Sequence, residues 1–293
     1  MDGQKSYQIL YFSGTGNTEY VVKEIQKSLI AKRQKCELLA ADKLWAACGR
    51  RPQLKGETSL AAGKLAEFLK SAAVLILAYP VYASDIPKPL DQLISLLPDA
   101  GGIKLAVVAT CAAAGGDGCL LPARKLKNKG YQCLLAAYVK MPNNIKLPFF
   151  NYFSIRNGKE LDRFYSSASM TIDKITEKLT EQKRYLSGRS IFSLGLGWIQ
   201  RFAEKFMANF INKRMFAAEN CTKCKLCMAS CPMENITFEN DRPKFGSNCC
   251  FCLRCYNFCP VSAIQITEKT RNKKIYTRYN GFNDWEPSQL YDI

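Results

Sequence analysis

The sequence contains no histidine. That absence removes imidazole metal sites and every mechanism in which a histidine activates a serine or a cysteine. Long apolar runs are missing too. No window holds about 18 uninterrupted apolar residues, and Met1 to Tyr7 lacks the basic cap and apolar stretch of an export signal, so the expected compartment is the cytoplasm. Acid is scarce: 25 Asp and Glu stand against 42 Lys and Arg, a formal charge of +17 that favours acidic or anionic partners and says nothing about fold. A hydrophobic content of 47% excludes a mostly disordered chain, and 293 residues suffice for two ordinary domains.

Cysteine, by contrast, is plentiful. Of 14, nine crowd between Cys221 and Cys259, which in a reducing compartment argues for metal or redox chemistry rather than disulfides. Cys36, Cys48, Cys111, Cys119 and Cys133 have no ligand spacing and read as small buried hydrophobes. Cys221, Cys224, Cys227 and Cys231 with Pro232 spell C-x2-C-x2-C-x3-C-P, and Cys249, Cys252, Cys255 and Cys259 with Pro260 spell it again. Such spacing lets one loop wrap three thiolates around a cuboidal cluster. Zinc, the alternative, pairs two C-x2-C knuckles across a gap and needs neither a third cysteine nor the proline. Cys250 lies outside the pattern and reads as packing. From Ala217 to about Glu268, including the hairpin-like Ile236 to Phe245, the chain resembles bacterial two-cluster ferredoxins. The resemblance implies two 4Fe-4S clusters, one on Cys221, Cys224, Cys227 and Cys259, the other on Cys249, Cys252, Cys255 and Cys231. With four cysteines each, neither has an open iron, and electron relay is the expected role.

Tyr7 to Phe12 is an apolar run that leads into Gly14 and Gly16 and then into Tyr20, Val21, Ile25 and Leu29 at helical spacing. The order recurs at Ala72 to Tyr79 with Leu90 to Leu97, and at Lys104 to Thr110 with Cys119 to Lys129. Gln132 to Val139 adds a strand and Leu161 to Leu179 a closing helix; Glu37 to Ala41 is the faintest strand. Near-continuous apolar strands alternating with helices predict an α/β fold with a doubly wound parallel sheet. Ser13-Gly14-Thr15-Gly16-Asn17-Thr18 falls where a strand opens a helix, so backbone N–H groups and the helix dipole attract a phosphate and the hydroxyls add uncharged donors. No G-K-[ST] and no third glycine follow, which excludes Walker A and dinucleotide fingerprints. The loop resembles the flavodoxin phosphate loop, T/S-x-T-G-x-T, and the likeness to flavodoxins extends over about residues 5–185. It implies an FMN site completed by Tyr79-Pro80-Val81-Tyr82-Ala83 and by Thr110 to Gly118, which contains Gly115 and Gly116, with Tyr82 near the isoalloxazine ring. The last loop has no aromatic, so one flavin face is expected to be open to a partner, a substrate or the ferredoxin module.

The organisation expected is a flavodoxin-like domain (1–186), an aromatic and basic helical connector (187–216), a small α+β ferredoxin domain (217–268) with a core of its own, and a tail (269–293). Met141 to Gly158 reads as a long surface excursion. In the connector, Trp198, Phe202, Phe206 and Phe210 recur at helical spacing with Arg201, Lys205, Lys213 and Arg214 interleaved, as in a helix packed between two domains or, alternatively, a helix in peripheral contact with a membrane surface through 190–218. The chain as a whole resembles flavodoxin-ferredoxin fusion proteins of anaerobic microbes, which implies electron relay between clusters and FMN. Clusters and flavin phosphate would leave the charge near about +11, so acidic redox proteins are the expected partners. The enzyme alternative is FMN-dependent reduction of a small acceptor, a quinone or nitro compound, with Asp85 and Asp117 read as turn carboxylates rather than acid–base groups. A redox-sensing, nucleic-acid-binding role ranks last, because no recognised nucleic-acid motif accompanies the charge.

Overall fold

The computed structural model describes residues 4–49, 55–148 and 154–281; the middle of the Met141 to Gly158 stretch and the end of the expected tail lie outside the described residues. The elements run β1 (Ser6–Tyr11), α1 (Asn17–Ala31), β2 (Lys35–Ala40), α2 (Ala41–Ala46), α3 (Lys55–Leu69), β3 (Val74–Pro80), α4 (Lys88–Leu96), β4 (Lys104–Cys111), α5 (Leu121–Lys125), β5 (Gln132–Lys140), α6 (Asp162–Thr180) and β6 (Tyr185–Leu186). They form one parallel sheet in the order β2-β1-β3-β4-β5-β6. The order of the first five is that of doubly wound sheets of the flavodoxin-like type, and the six-stranded sheet with its helices is consistent with a flavodoxin-like α/β fold.

The strands form where they do because both of their faces are covered. Apart from their end residues, β3 (VLILAYP) and β4 (KLAVVATC) are buried throughout, and such strands read as apolar runs without alternation. Val21, Ile25 and Leu29 of α1 and Ile172, Ile175 and Leu179 of α6 cover Ile9, Ile76 and Val108 on one face. On the other face, Trp45, Leu65 and Leu93 from α2, α3 and α4 cover Leu10, Leu77 and Val107. The faint second strand pairs with β1 along its whole length. The helix expected over Cys119 to Lys129 is interrupted: a 3-10 turn (Gly118–Leu120) and a second one (Lys127–Lys129) flank the five-residue α5. Pro122, near the start of α5, has no N–H with which to carry a helix on from the residues before it.

The long helix α7 (Ile191–Asn212) leads into the cysteine-rich segment: β7 (Phe216–Ala217), α8 (Leu226–Ala229), β8 (Ile236–Glu239), β9 (Arg242–Phe245), α9 (Arg254–Asn257) and β10 (Ile264–Gln265). β7 pairs antiparallel with β10, and β8 with β9 through Asn240 and Asp241, whose φ of 48° and 60° suit a type I′ hairpin turn. The segment repeats itself at the offset of its cysteine runs, Cys221 to Cys249. Lys223, Lys225 and Glu234 are left-handed in the first copy, and Phe251, Leu253 and Ser262 at the matching positions of the second. Likewise α8 matches α9, and β8 starts where β10 does.

Packing adds three contacts that the sequence did not announce. Met233, Cys250 and Cys252 belong to the same buried cluster as Phe12, Trp45 and Leu77, while Cys227, Ile236 and Ile264 form a small cluster within the cysteine segment itself. The excursion after Met141 is not confined to the surface, because Leu147 is fully buried with Ile211 of α7 and with Leu253, Tyr256 and Ile266. The tail, as far as it is described, also packs down: Tyr279 is fully buried and its hydroxyl donates to Asn17 Oδ1 at 2.6 Å. Among the described residues no helix is long and apolar enough to cross a membrane.

Candidate functional site

β1, β3 and β4 are parallel and adjacent, so the loops that follow them open at one edge of the sheet, where ligands of such folds bind. Between them lies a cavity of about 490 Å³, within the roughly 300–1,000 Å³ of small-molecule sites. The first loop contributes Ser13, Gly14, Thr15, Asn17 and Thr18, the second Pro80, Val81, Tyr82 and Ala83, the third Thr110 and Cys111 to Ala114. Gly16 stands back as the N-cap of α1, its φ of 92° turning the chain into the helix. Gly115 and Gly116 also lie outside the lining. The hydroxyl of Tyr138 donates to both of their carbonyls, a Cβ on Gly115 would strike the Tyr138 ring, and left-handed Gly116 (φ 55°) lies against Gly197 of α7. Their missing side chains let the third loop and α7 close together.

The rest of the lining has no local signature in the sequence. Asn143 and Asn144 come from the stretch after β5, Leu196, Gln200, Ala203 and Glu204 from α7, and Phe251 and Leu253 from the cysteine segment. The α7 residues recur at helical spacing on the side away from the aromatic stripe, the one signal that was available. The face expected to stay open is bordered by α7 and by the cysteine segment.

Hydroxyls line the first loop in a form suited to an anion. Ser13 Oγ accepts the Glu19 N–H at 3.2 Å, and Thr15 Oγ1 accepts from Asn144 Nδ2 at 2.8 Å. Each keeps its own O–H to donate, and one proton of the Thr18–Thr110 hydroxyl pair (2.8 Å) is also spare. All stand at the positive end of the 15-residue α1.

The second loop turns through Ala83 (φ 49°) and Ser84 (φ 60°), between the paired backbones of Tyr82 and Asp85. Two left-handed residues without glycine store about 1–2 kcal/mol each, and α7 holds the turn in place. Arg201 donates to the Ser84 carbonyl at 3.0 Å and to Asp117 at 2.7 Å, while Gln200 receives the Ser84 hydroxyl. Burial opposes ionisation of Asp117, but Arg201 and Arg124 outweigh it and hold the carboxyl below its ordinary value. The turn presents Tyr82 to the cavity. Its hydroxyl is buried beside Gly14 without a hydrogen-bond partner, and burial, then Cys252 and Cys250, push its pKa well up.

Two further cavities hold the cysteines. One is lined by Cys221, Cys224, Cys227, Cys255 and Cys259, the other by Cys231, Cys249, Cys250, Cys252 and Cys255. Among the described residues no group of three or more cysteine or carboxylate side chains is arranged to hold a metal ion. Burial, and then neighbouring thiols, push Cys227 and Cys249 up to about 12. Cys252 is the exception. A hydrogen bond from the Cys250 thiol, with help from the Arg254 charge, outweighs burial and holds the Cys252 thiol below its ordinary value.

Arg254, between the two cavities, is lined up with both. It is fully buried and grips Asp42 with two hydrogen bonds (3.0 and 2.9 Å), the Gly14 carbonyl through Nε (2.9 Å) and the Ser13 carbonyl through Nη2 (2.5 Å). Phe251 and Leu253, on either side of Cys252, line both the second cysteine cavity and the sheet-edge cavity. The three cavities therefore adjoin in a row.

Fold and site together describe a flavodoxin-like α/β chain with a cysteine-rich segment packed on its loop edge. No family model and no curated protein match it. Solved structures similar to it include an apo NADH:FMN oxidoreductase (TM-score 0.40, 17% identity, 63% of this chain and 97% of that one) and a short-chain flavodoxin associated with a non-canonical PDU bacterial microcompartment (0.39, 17%, 61% and 98%). Another is the rubredoxin oxygen:oxidoreductase of the anaerobe Desulfovibrio gigas (0.34, 14%, 59%), of whose length this chain spans 37%.

Proposed function

We propose that the chain is an electron-transfer flavo-iron-sulfur protein, with FMN in the sheet-edge cavity and a 4Fe-4S cluster in each cysteine cavity. The observation that carries this reading is the wall shared by Phe251 and Leu253, which brings a thiol-lined cavity against a phosphate-type loop. The residues fit the groups. Five cysteines line each cavity, and each five includes the four that the C-x2-C-x2-C-x3-C-P runs imply for a cluster taking one thiolate per iron, while the first loop combines spare hydroxyl donors with a helix N-terminus. When bound, FMN supplies one- and two-electron chemistry and the clusters one-electron exchange.

The chain's own residues then have distinct tasks. Ser13, Thr15 and Thr18 hold the phosphate, the strained turn at Ala83 and Ser84 presents Tyr82, and Phe251 and Leu253 keep water out of the shared wall. Exposed Cys224 places the first cysteine cavity at the surface, where a partner protein has access. Anaerobic purification with iron, sulfide and flavin analysis tests the reading. About eight iron, eight acid-labile sulfide and one FMN per chain are expected. Zinc in place of iron, or no flavin, overturns it.

A further inference from the structure

Among the described residues, Ile191, Phe192, Trp198, Ile199, Phe202 and Phe206 of α7 are 88, 78, 67, 58, 55 and 66% exposed. Trp198 stacks on Phe202 at 5.8 Å between ring centroids and Phe202 meets Phe206 edge-on at 5.1 Å, so three rings form a ladder along one side of the helix. The other side is committed. Leu196, Gln200 and Ala203 border the sheet-edge cavity, and Arg201 is tied to Asp117. The helix is thus fixed to the protein by one face while it offers water a contiguous aromatic one, a surface that marks an interaction site.

Charge selects the occupant. Residues 182–218 carry Lys183, Arg184, Arg189, Arg201, Lys205, Lys213 and Arg214 against one acid, Glu204, and Glu204 lines the cavity. Lys183, Arg184 and Arg189 are exposed just before α7, and Lys213 and Arg214 just after it. A second copy docking here would bring two chains of +17 together through their basic ends, whereas an anionic lipid surface neutralises those ends and takes up the rings. α7 is 22 residues long but not apolar enough to span a bilayer, so it would lie in the interface.

We propose that α7 docks the protein on anionic membranes, its aromatic ladder entering the headgroup boundary and the flanking Arg189, Lys213 and Arg214 meeting lipid phosphates. This stands apart from the redox reading, since it uses the face of α7 turned away from the cavity. The test is co-sedimentation of the full-length protein with vesicles of phosphatidylcholine alone or with about 30% phosphatidylglycerol. Binding to the anionic vesicles only, weakened by salt and reduced about tenfold or more in Trp198→Glu/Phe202→Glu, is expected. The milder Trp198→Ser/Phe206→Ser, checked for unchanged circular dichroism, serves should the first pair fail to fold. Equal binding by wild type and variants, binding to both vesicle types alike, or none to either overturns the proposal. So does a wild-type dimer in sedimentation equilibrium that the same substitutions dissociate, which would assign the face to a second copy.

Discussion

Arg254 and Asp42 lie 212 residues apart in the chain and meet in a bidentate ion pair from which water is excluded on both sides, the side chains being 0% and 1% exposed. The guanidinium spends its other donors on the carbonyls of Ser13, Gly14 and Ser230, so a residue next to a cysteine ligand candidate ties the first loop to the cysteine segment.

Arg254→Met strands the Asp42 carboxylate and should cost about 3–5 kcal/mol in urea unfolding. Adding Asp42→Leu should recover much of that stability but not FMN affinity, because the two loop carbonyls still lack their donor. Fluorescence titration with FMN measures the difference. An unchanged affinity in the double variant would separate Arg254 from the loop.

Gly14→Ala would drive a Cβ into the Tyr82 hydroxyl and to 3.1 Å from the Cys252 carbonyl. Loss of thermal stability and of bound flavin is expected. Tyr82→Phe removes a buried hydroxyl that has no partner and leaves the nearest remaining ring atom, Cζ, at 3.6 Å, so Gly14→Ala should be partly rescued in that background. Absence of rescue would mean that Cys252, not Tyr82, sets the limit.

The two cysteine cavities should respond differently to loss of a thiol. Cys227→Ser, in the surface cavity, is expected to halve the iron content and leave FMN bound. Cys252→Ser, in the core shared with Phe12 and Trp45, should also reduce FMN. Iron, sulfide and flavin assays on the same preparations compare them; equal flavin content in both variants would show that the shared core transmits nothing.

Asp117 has its carboxyl held below the ordinary value, so its pairing contributes fully above the unfolded value of about 3.9 and is lost as pH falls through the native one. The protection of α7 amides from exchange, taken relative to the intrinsic rate at each pH, should therefore fall in acid, and Asp117→Asn should lose the same protection at neutral pH. Protection that is high and independent of pH in both forms would place the anchor of α7 elsewhere.

The sheet was legible because strands covered on both faces carry uninterrupted apolar runs, as β3 and β4 do, and because the phosphate-type loop and the cysteine runs are short-range patterns. What escaped was long-range. Asp42 and Arg254 are ordinary residues in their local contexts, and no periodicity reports a pair closed by the whole fold. Proline and asparagine made the stretch after Met141 look superficial, although Leu147 is buried by residues that come some 60 to 120 positions later. Helical spacing revealed α7 and its aromatic stripe but not which side meets protein, since a covered cavity needs only Leu196, Gln200 and Ala203.

The matching left-handed positions of the two cysteine loops have diverged in side chain. Lys223 and Lys225 stand in solvent in the first loop, whereas Phe251 and Leu253 are turned inward in the second. One backbone recipe has been dressed twice, once for an outside world and once for an interior neighbour. Under the relay proposed above, the chain would have a front and a back: a visiting protein would meet the lysine-bearing loop first, and electrons bound for the sheet edge would pass the two loops in a fixed sequence. Exchanging the two pairs of side chains would leave the backbone its angles and take away its polarity.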